Sequence, residues 1–281
     1  MKRPQVSSHS IPSSSGGAIG AHVFEPYTDA TDAASRPVVI RGTIVLVHPW
    51  SALGGGEHNT IGLASRITAG RGGGRRRQWR AVTFALESDP AWRGGPLWGI
   101  LSNHSHEVGQ IVDVVDWVRE TYRRRTPSSS SSSSDGGGGG DGDGGGDIVL
   151  LGSSAGAPMA GTAMARLSND GEDALSAYVA VGYTFGNLAS LAFGRHFAHV
   201  VANSSSSTAP RLFVMGERDE FTSVDQLERM AKRMRGEEGA NGGGVVDVEI
   251  VPGVGHFELE SPGYDELVAR TVLDWLDKIP A

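Results

Sequence analysis

The sequence predicts an α/β fold: a mostly parallel central β-sheet flanked by helices on both faces. Three observations carry this. Apolar strand-like runs alternate with helix-like stretches along most of the 281 residues, the pattern of repeated strand–helix–strand units. Runs such as Ile148-Val149-Leu150-Leu151 are apolar throughout, as strands covered on both faces are. The chain without its one low-complexity segment is still long enough for a single large core.

In chain order, Ala21–Pro26 and Val38–Arg41 are weak strands expected to form an antiparallel leading edge. Stronger strands follow at Thr43–Val47, Ala81–Leu86, Ile148–Leu151, Tyr178–Val181, Arg211–Met215 and Val245–Val251. Helical patterns lie between them at Asn59–Ala69, Glu107–Arg123, Ala155–Leu167, Asn187–Val200 and Val224–Met234. The last helix, Tyr264–Ile279, places Leu267, Val268, Val272, Leu273, Trp275 and Leu276 on an apolar stripe. Residues 1–20, rich in Ser and Gly, are expected to be disordered, and residues 21–281 to form one domain. The Ser/Gly-rich stretch Thr126–Asp147 has no side chains that fill a core. It reads as a disordered insert in a helix-to-strand loop. Lengthening a loop from about 5 to about 20 residues costs only about 1.2 kcal/mol.

Composition excludes several classes of function. Lys plus Arg number 25 and Asp plus Glu 32, for a net charge of −7 and a pI near 5.7. That balance argues against nucleic acid as a partner, because phosphate contacts need a basic face. The chain has no cysteine, which removes disulfides, thiolate metal sites and a cysteine nucleophile. No apolar run approaches the roughly 18 residues of a membrane span. Met1–Gly20 lacks the apolar stretch of a secretory signal. A cytoplasmic location is the expectation, with organellar targeting left open.

The chemistry is concentrated in Leu151-Gly152-Ser153-Ser154-Ala155-Gly156-Ala157. This is a G-x-S-x-G pattern centred on Ser154, between a buried strand and a small-residue helix, which is the context the motif requires. The glycines at plus and minus two relieve collisions across a sharp turn that lifts the Ser154 hydroxyl above the sheet. Ser153 is a rival hydroxyl without that bracketing. A nucleophilic serine needs a base, and the base an orienting acid, in the order Ser, Asp or Glu, His. Three histidines lie downstream: His196 and His199 fall within a helix pattern, whereas His256 sits in the glycine-bearing loop Pro252–Phe257 after a strand. Ligand-facing groups gather at such strand ends, so His256 is the expected base. Asp219 lies just past the preceding strand and is the expected acid, with Glu217 and Glu220 as neighbours. Upstream, His48-Pro49-Trp50 and the run Gly54-Gly55-Gly56 follow another strand. Pro49 has no N–H. The Trp50 and Ala155 amides are therefore the expected oxyanion donors.

Taken together, His48-Pro49, Gly54-Gly55, Asn59, GSSAGAPMAG, GERDEF and GVGHF resemble the α/β-hydrolase superfamily. The resemblance spans about residues 38–279 and is closest to a small, cap-less serine-hydrolase branch related to dienelactone hydrolases. It implies Ser154 as nucleophile, Asp219 as acid and His256 as base, with no cofactor. Dienelactone hydrolases proper use a cysteine, which this chain lacks. The loop Ser88–Gly95 also lacks the basic, glycine-rich stretch of that branch.

The interval Gly182–Pro210 is too short for a large cap, so the site is expected to be open to a small acyl substrate. His48, Trp92 and Trp98 are the expected substrate-side residues, the tryptophans equally readable as tertiary packing. Arg71, Arg75, Arg76, Arg77 and Arg80 fall, like the insert, at the opposite end of the sheet and read as a solvated patch. The pairs His104/His106 and His196/His199 lack a third ligand at a recognisable metal spacing. The expected activity is therefore cleavage of an ester or related acyl bond by a serine hydrolase. A ligand-binding or signalling protein on the same fold is the alternative. An epoxide hydrolase or dehalogenase is disfavoured, since it needs a carboxylate where Ser154 stands.

Overall fold

Period-two burial assembles the sheet. In strand β3 (Ile40–Val47), Val45 and Val47 enter one apolar layer while Ile44 and Leu46 enter the other. Strands β5 (Asp147–Ser153), β6 (Ala177–Val181) and β7 (Arg211–Gly216) divide their side chains in the same way. The computed structural model describes residues 4–26, 40–49, 55–69, 78–86, 105–122, 146–167, 175–185, 209–236 and 244–279. With β1 (Gln5–Pro12), β2 (Ala18–Glu25), β4 (Gln78–Phe84) and β8 (Val246–Val251), they form one eight-stranded sheet in the order β1-β2-β4-β3-β5-β6-β7-β8. β1, β2 and β4 pair antiparallel in sequence, and every other neighbouring pair is parallel.

Helices α1 (His58–Ala69) and α6 (Asp265–Leu276) cover one face. Helices α2 (Ser105–Tyr122), α3 (Gly156–Leu167) and α4 (Val224–Arg235) cover the other. A single turn, α5 (His256–Leu259), follows β8. The fold class is the one the sequence predicts. No cap domain stands among the described residues, and the β6–β7 connection is fewer than 30 residues long. No described helix is long and apolar enough to cross a membrane.

Three expectations need correction. Residues 5–12 and 18–20, expected to be disordered, are strand. β1 buries only Ile11, so no apolar pattern betrays it; its backbone pairing with β2 holds it instead. The turn between the two strands is anchored by Asp113 of α2, which accepts from the Ser13 and Ser14 hydroxyls and the Ser14 amide. The antiparallel edge is therefore β1–β2, whereas Ile40 and Arg41 open the parallel strand β3. Arg80 is not part of a solvated patch, because it pairs with Glu25 at 2.6 Å and stacks 3.6 Å over the Tyr122 ring. Arg71 to Arg77, the helix expected at Asn187–Val200 and nearly all of the Ser/Gly insert lie outside the described residues.

Where α6 crosses α1, a Cβ at Gly62 would run into the Asp265 carboxylate. Burial there pushes the Asp265 carboxyl up to about 6, against the lowering pull of Arg66. A raised acid favours the folded state only while protonated. Its cost is absent below about pH 4 and complete once the pH has risen through about 6. Asp265→Asn should therefore stabilise the protein by about 1 kcal/mol at pH 7.5, after allowance for solvent screening of a half-buried group. It should have no effect at pH 3.5; urea midpoints at the two pH values check this.

Candidate active site

At the carboxyl end of β5 the chain turns sharply into α3. Ser154 adopts φ 51°, the only positive φ at a non-glycine residue among those described. That conformation costs an L-residue about 1–2 kcal/mol. It is held from both sides: the Ser154 amide donates to the Val181 carbonyl at 2.8 Å, and the Ala157 amide donates to the Ser154 carbonyl at 3.0 Å. Both flanking glycines are required by close approach. A Cβ at Gly152 would lie 2.5 Å from the Ala157 Cα, and one at Gly156 would lie 2.6 Å from the Val47 carbonyl oxygen and nearer still to that of His48. The atoms nearest to each position are backbone, so a methyl group cannot be absorbed by a rotamer change. Gly156→Ala is expected to cost about 2–3 kcal/mol, read as a lowered urea midpoint at unchanged m-value.

The Ser154 hydroxyl donates to Nε2 of His256 at 2.8 Å. Nδ1 of His256 donates to Oδ2 of Asp219 at 2.6 Å. A carboxylate only accepts, which places the ring proton on Nδ1 and leaves Nε2 to receive. The second oxygen of Asp219 accepts the amides of Phe221 at 2.9 Å and Thr222 at 2.8 Å, so the carboxylate cannot swing. The ring of His256 is 1% exposed and the Asp219 side chain 0%. Burial pulls the imidazole pKa down. The hydrogen bond and charge of Asp219, aided by Glu260 and Glu220, outweigh it, and the net shift is upward.

The loops carrying Asp219 and His256 are knit together. Glu217 accepts the Gly253 amide at 2.7 Å, Glu220 accepts the His256 amide at 2.9 Å, and Arg218 donates to the Gly253 carbonyl. The two neighbours of Asp219 that the sequence left as rivals are thus spent on backbone. Thr222 ties the same loop to the segment just after β6: its hydroxyl donates to the Tyr183 carbonyl and accepts the Phe185 amide. Gly182, just past β6, has φ 59°, and a Cβ there would sit 3.1 Å from the His256 ring. A hydroxyl, an imidazole and a carboxylate in this order can pass a proton from oxygen to ring nitrogen while the acid steadies the charged ring.

No protein-family model matches the sequence, and no curated protein matches it. Solved structures do. An α/β serine hydrolase homologue from Coxiella burnetii superposes with a TM-score of 0.61 at 16% identity, covering 96% of this chain and 97% of its own. A lid-less α/β serine hydrolase from Xanthomonas campestris gives 0.61 at 17% identity, covering 98% and 97%. Dienelactone hydrolase from Anabaena variabilis gives 0.61 at 14% identity over 100% of both chains. The chain has the α/β-hydrolase fold. Ser154 stands on the turn between β5 and α3, and Ser154, Asp219 and His256 occur in the chain order Ser, acid, His that the sequence analysis expects.

The remaining expected site residues fall into two groups. Trp50, Trp92 and Trp98 lie outside the described residues, whereas Ala155 is buried directly after Ser154. His48 is buried, and backbone occupies both its nitrogens: Nδ1 donates to the Pro49 carbonyl at 2.6 Å, and Nε2 accepts the Leu86 amide at 3.0 Å. Burial lowers its pKa, which keeps the ring neutral. It clamps the loop after β3 to the end of β4. No three described His, Asp or Glu side chains gather as a metal-ligand set; of the paired histidines only His106 is described.

Two features escaped the sequence reading. Phe221 and Phe257 stand edge-on to the His256 ring, with centroids at 4.6 and 5.4 Å. Glu260 lies within 3.8 Å of His256 Nε2. The signal for Glu260 is its i+4 spacing from His256, which has meaning only once His256 is seen to begin a helix rather than sit in a loop.

Proposed function

We propose that the protein is a serine hydrolase that cleaves an ester or related acyl bond of a small molecule, as a carboxylesterase does. The observation that carries this reading is the unbroken hydrogen-bonded chain from the Ser154 hydroxyl through His256 to Asp219. Ser154 Oγ attacks the acyl carbonyl as its proton passes to His256 Nε2. Asp219 steadies the imidazolium, and the Ala155 and Trp50 amides receive the oxyanion. His256 then protonates the leaving group, and water repeats the sequence to release the acid. These steps use protein groups and water alone. The test is labelling by a fluorophosphonate probe with the adduct mapped by mass spectrometry. It runs beside a hydrolysis panel of esters, thioesters and lactones. Labelling at Ser154 with turnover on the panel is expected; an adduct on Ser153, or labelling without turnover of any member, would count against the proposal.

A further inference from the structure

The hydrolytic scheme leaves one buried acid of the site unused. Glu260 ends the turn that His256 begins, and its side chain is 8% exposed. Its Oε1 lies 3.8 Å from His256 Nε2 and accepts the Ser153 hydroxyl at 3.1 Å. Asp219 holds the opposite nitrogen, so the ring lies between two carboxylates. Other charges around the ring are already committed. Glu220 is turned to the His256 amide and Glu258, on the same turn, to the Gly255 amide. Among the described residues, the ring also meets the Ser154 hydroxyl at the turn between β5 and α3, Gly182 just past β6, and the rings of Phe221 and Phe257 at its flanks. Arg218, the cation in the Asp219 loop, points at Gly253.

We propose that Glu260 is a positioning residue for this reaction: tethered by Ser153, its carboxylate is the second counter-charge of the imidazolium that forms when Ser154 gives up its proton. The inference rests on the hydrolase reading for its role in turnover, but its electrostatic content does not need it. When the Ser154 proton reaches Nε2, the new N–H faces both the leaving group and Glu260 Oε1; at 3.8 Å the carboxylate stabilises the charge without taking the proton. Burial pushes the Glu260 carboxyl up, against the lowering effects of His256 and of the Ser153 and Ser154 hydroxyls. It therefore starts to lose its charge at a higher pH than an ordinary carboxylate, and its support of the imidazolium fades on acidification.

A negative charge near Nε2 favours protonated His256, so removing it lowers the pH at which the ring becomes a base. The test is an NMR titration of the His256 ring in [13Cε1]histidine-labelled full-length protein, with His256→Ala as the assignment control. Glu260→Gln should lower the His256 midpoint by about one pH unit. The acidic limb of kcat/KM should move down equally, with a few-fold loss on the plateau. Glu260→Asp should keep most of the parent midpoint. Ser153→Ala, which frees Glu260 without removing it, should shift the midpoint the same way by less, and it keeps the test open if Glu260→Gln does not fold. A midpoint unmoved in both Glu260→Gln and Ser153→Ala overturns the proposal. A midpoint that moves in a protein inactive on every substrate leaves the electrostatic pairing standing and overturns the hydrolase reading instead.

Discussion

Replacing Ser154 or His256 with alanine is expected to lower kcat on a short acyl ester by about 10⁵- to 10⁶-fold, and replacing both should cost no more than either alone. The reason is geometric. With Oγ 2.8 Å from Nε2, the serine is a nucleophile only because the imidazole takes its proton, and the imidazole acts only on that oxygen. Removing either member removes the same step. Residual turnover above that in water then comes from the oxyanion amides and binding. Fluorophosphonate labelling should vanish in Ser154→Ala and slow severely in His256→Ala. Ser153 sits next along the chain, but its hydroxyl is turned to Glu260, so it should not take over. Persistent labelling in Ser154→Ala would move the nucleophile elsewhere.

Asp219→Asn is the second large effect, a fall in kcat of about 10⁴-fold with the fold intact. One oxygen of Asp219 already receives the Phe221 and Thr222 amides. An asparagine must keep its carbonyl there, which aims its NH2 group at His256 Nδ1. Two donors cannot face each other, so the ring proton moves to Nε2, and the nitrogen that should accept from Ser154 becomes a donor. Neither Glu217 nor Glu220 can substitute, because each is held on a backbone amide of the adjoining loop. Ring nitrogen shifts report the tautomer and kcat/KM the cost. Activity within tenfold of the parent would show that Asp219 does not orient the ring.

Much of the architecture was legible because it is encoded by near neighbours. Runs such as Ile148–Leu151 and the apolar stripe of Leu227, Met230, Ala231 and Met234 on α4 announce their own geometry. Gly152 does the same, since the collision it avoids is with Gly156 and Ala157, whereas Gly156 makes room for the Val47 and His48 carbonyls more than a hundred residues away. β1 was illegible for the complementary reason: an exposed edge strand with one buried residue is held by backbone pairing, and that leaves no trace in side-chain pattern. His48 was visible as a residue but not as a clamp, because its partner Leu86 is 38 residues away.

The sequence by itself determined the alternating α/β layout, the strained turn that lifts Ser154, and which residue types were on hand to act as base and acid. Tertiary structure decided which of them meet. Placing β5, β6, β7 and β8 side by side brings Ser154 to a histidine 102 residues away. It also turns Asp219, rather than Glu217 or Glu220, toward the ring. The physical reason is that local conformation is set by sterics and hydrogen bonds between residues near in the chain. The meeting of Ser154 and Asp219 at one imidazole is set instead by the register of strands whose association no short stretch of sequence specifies.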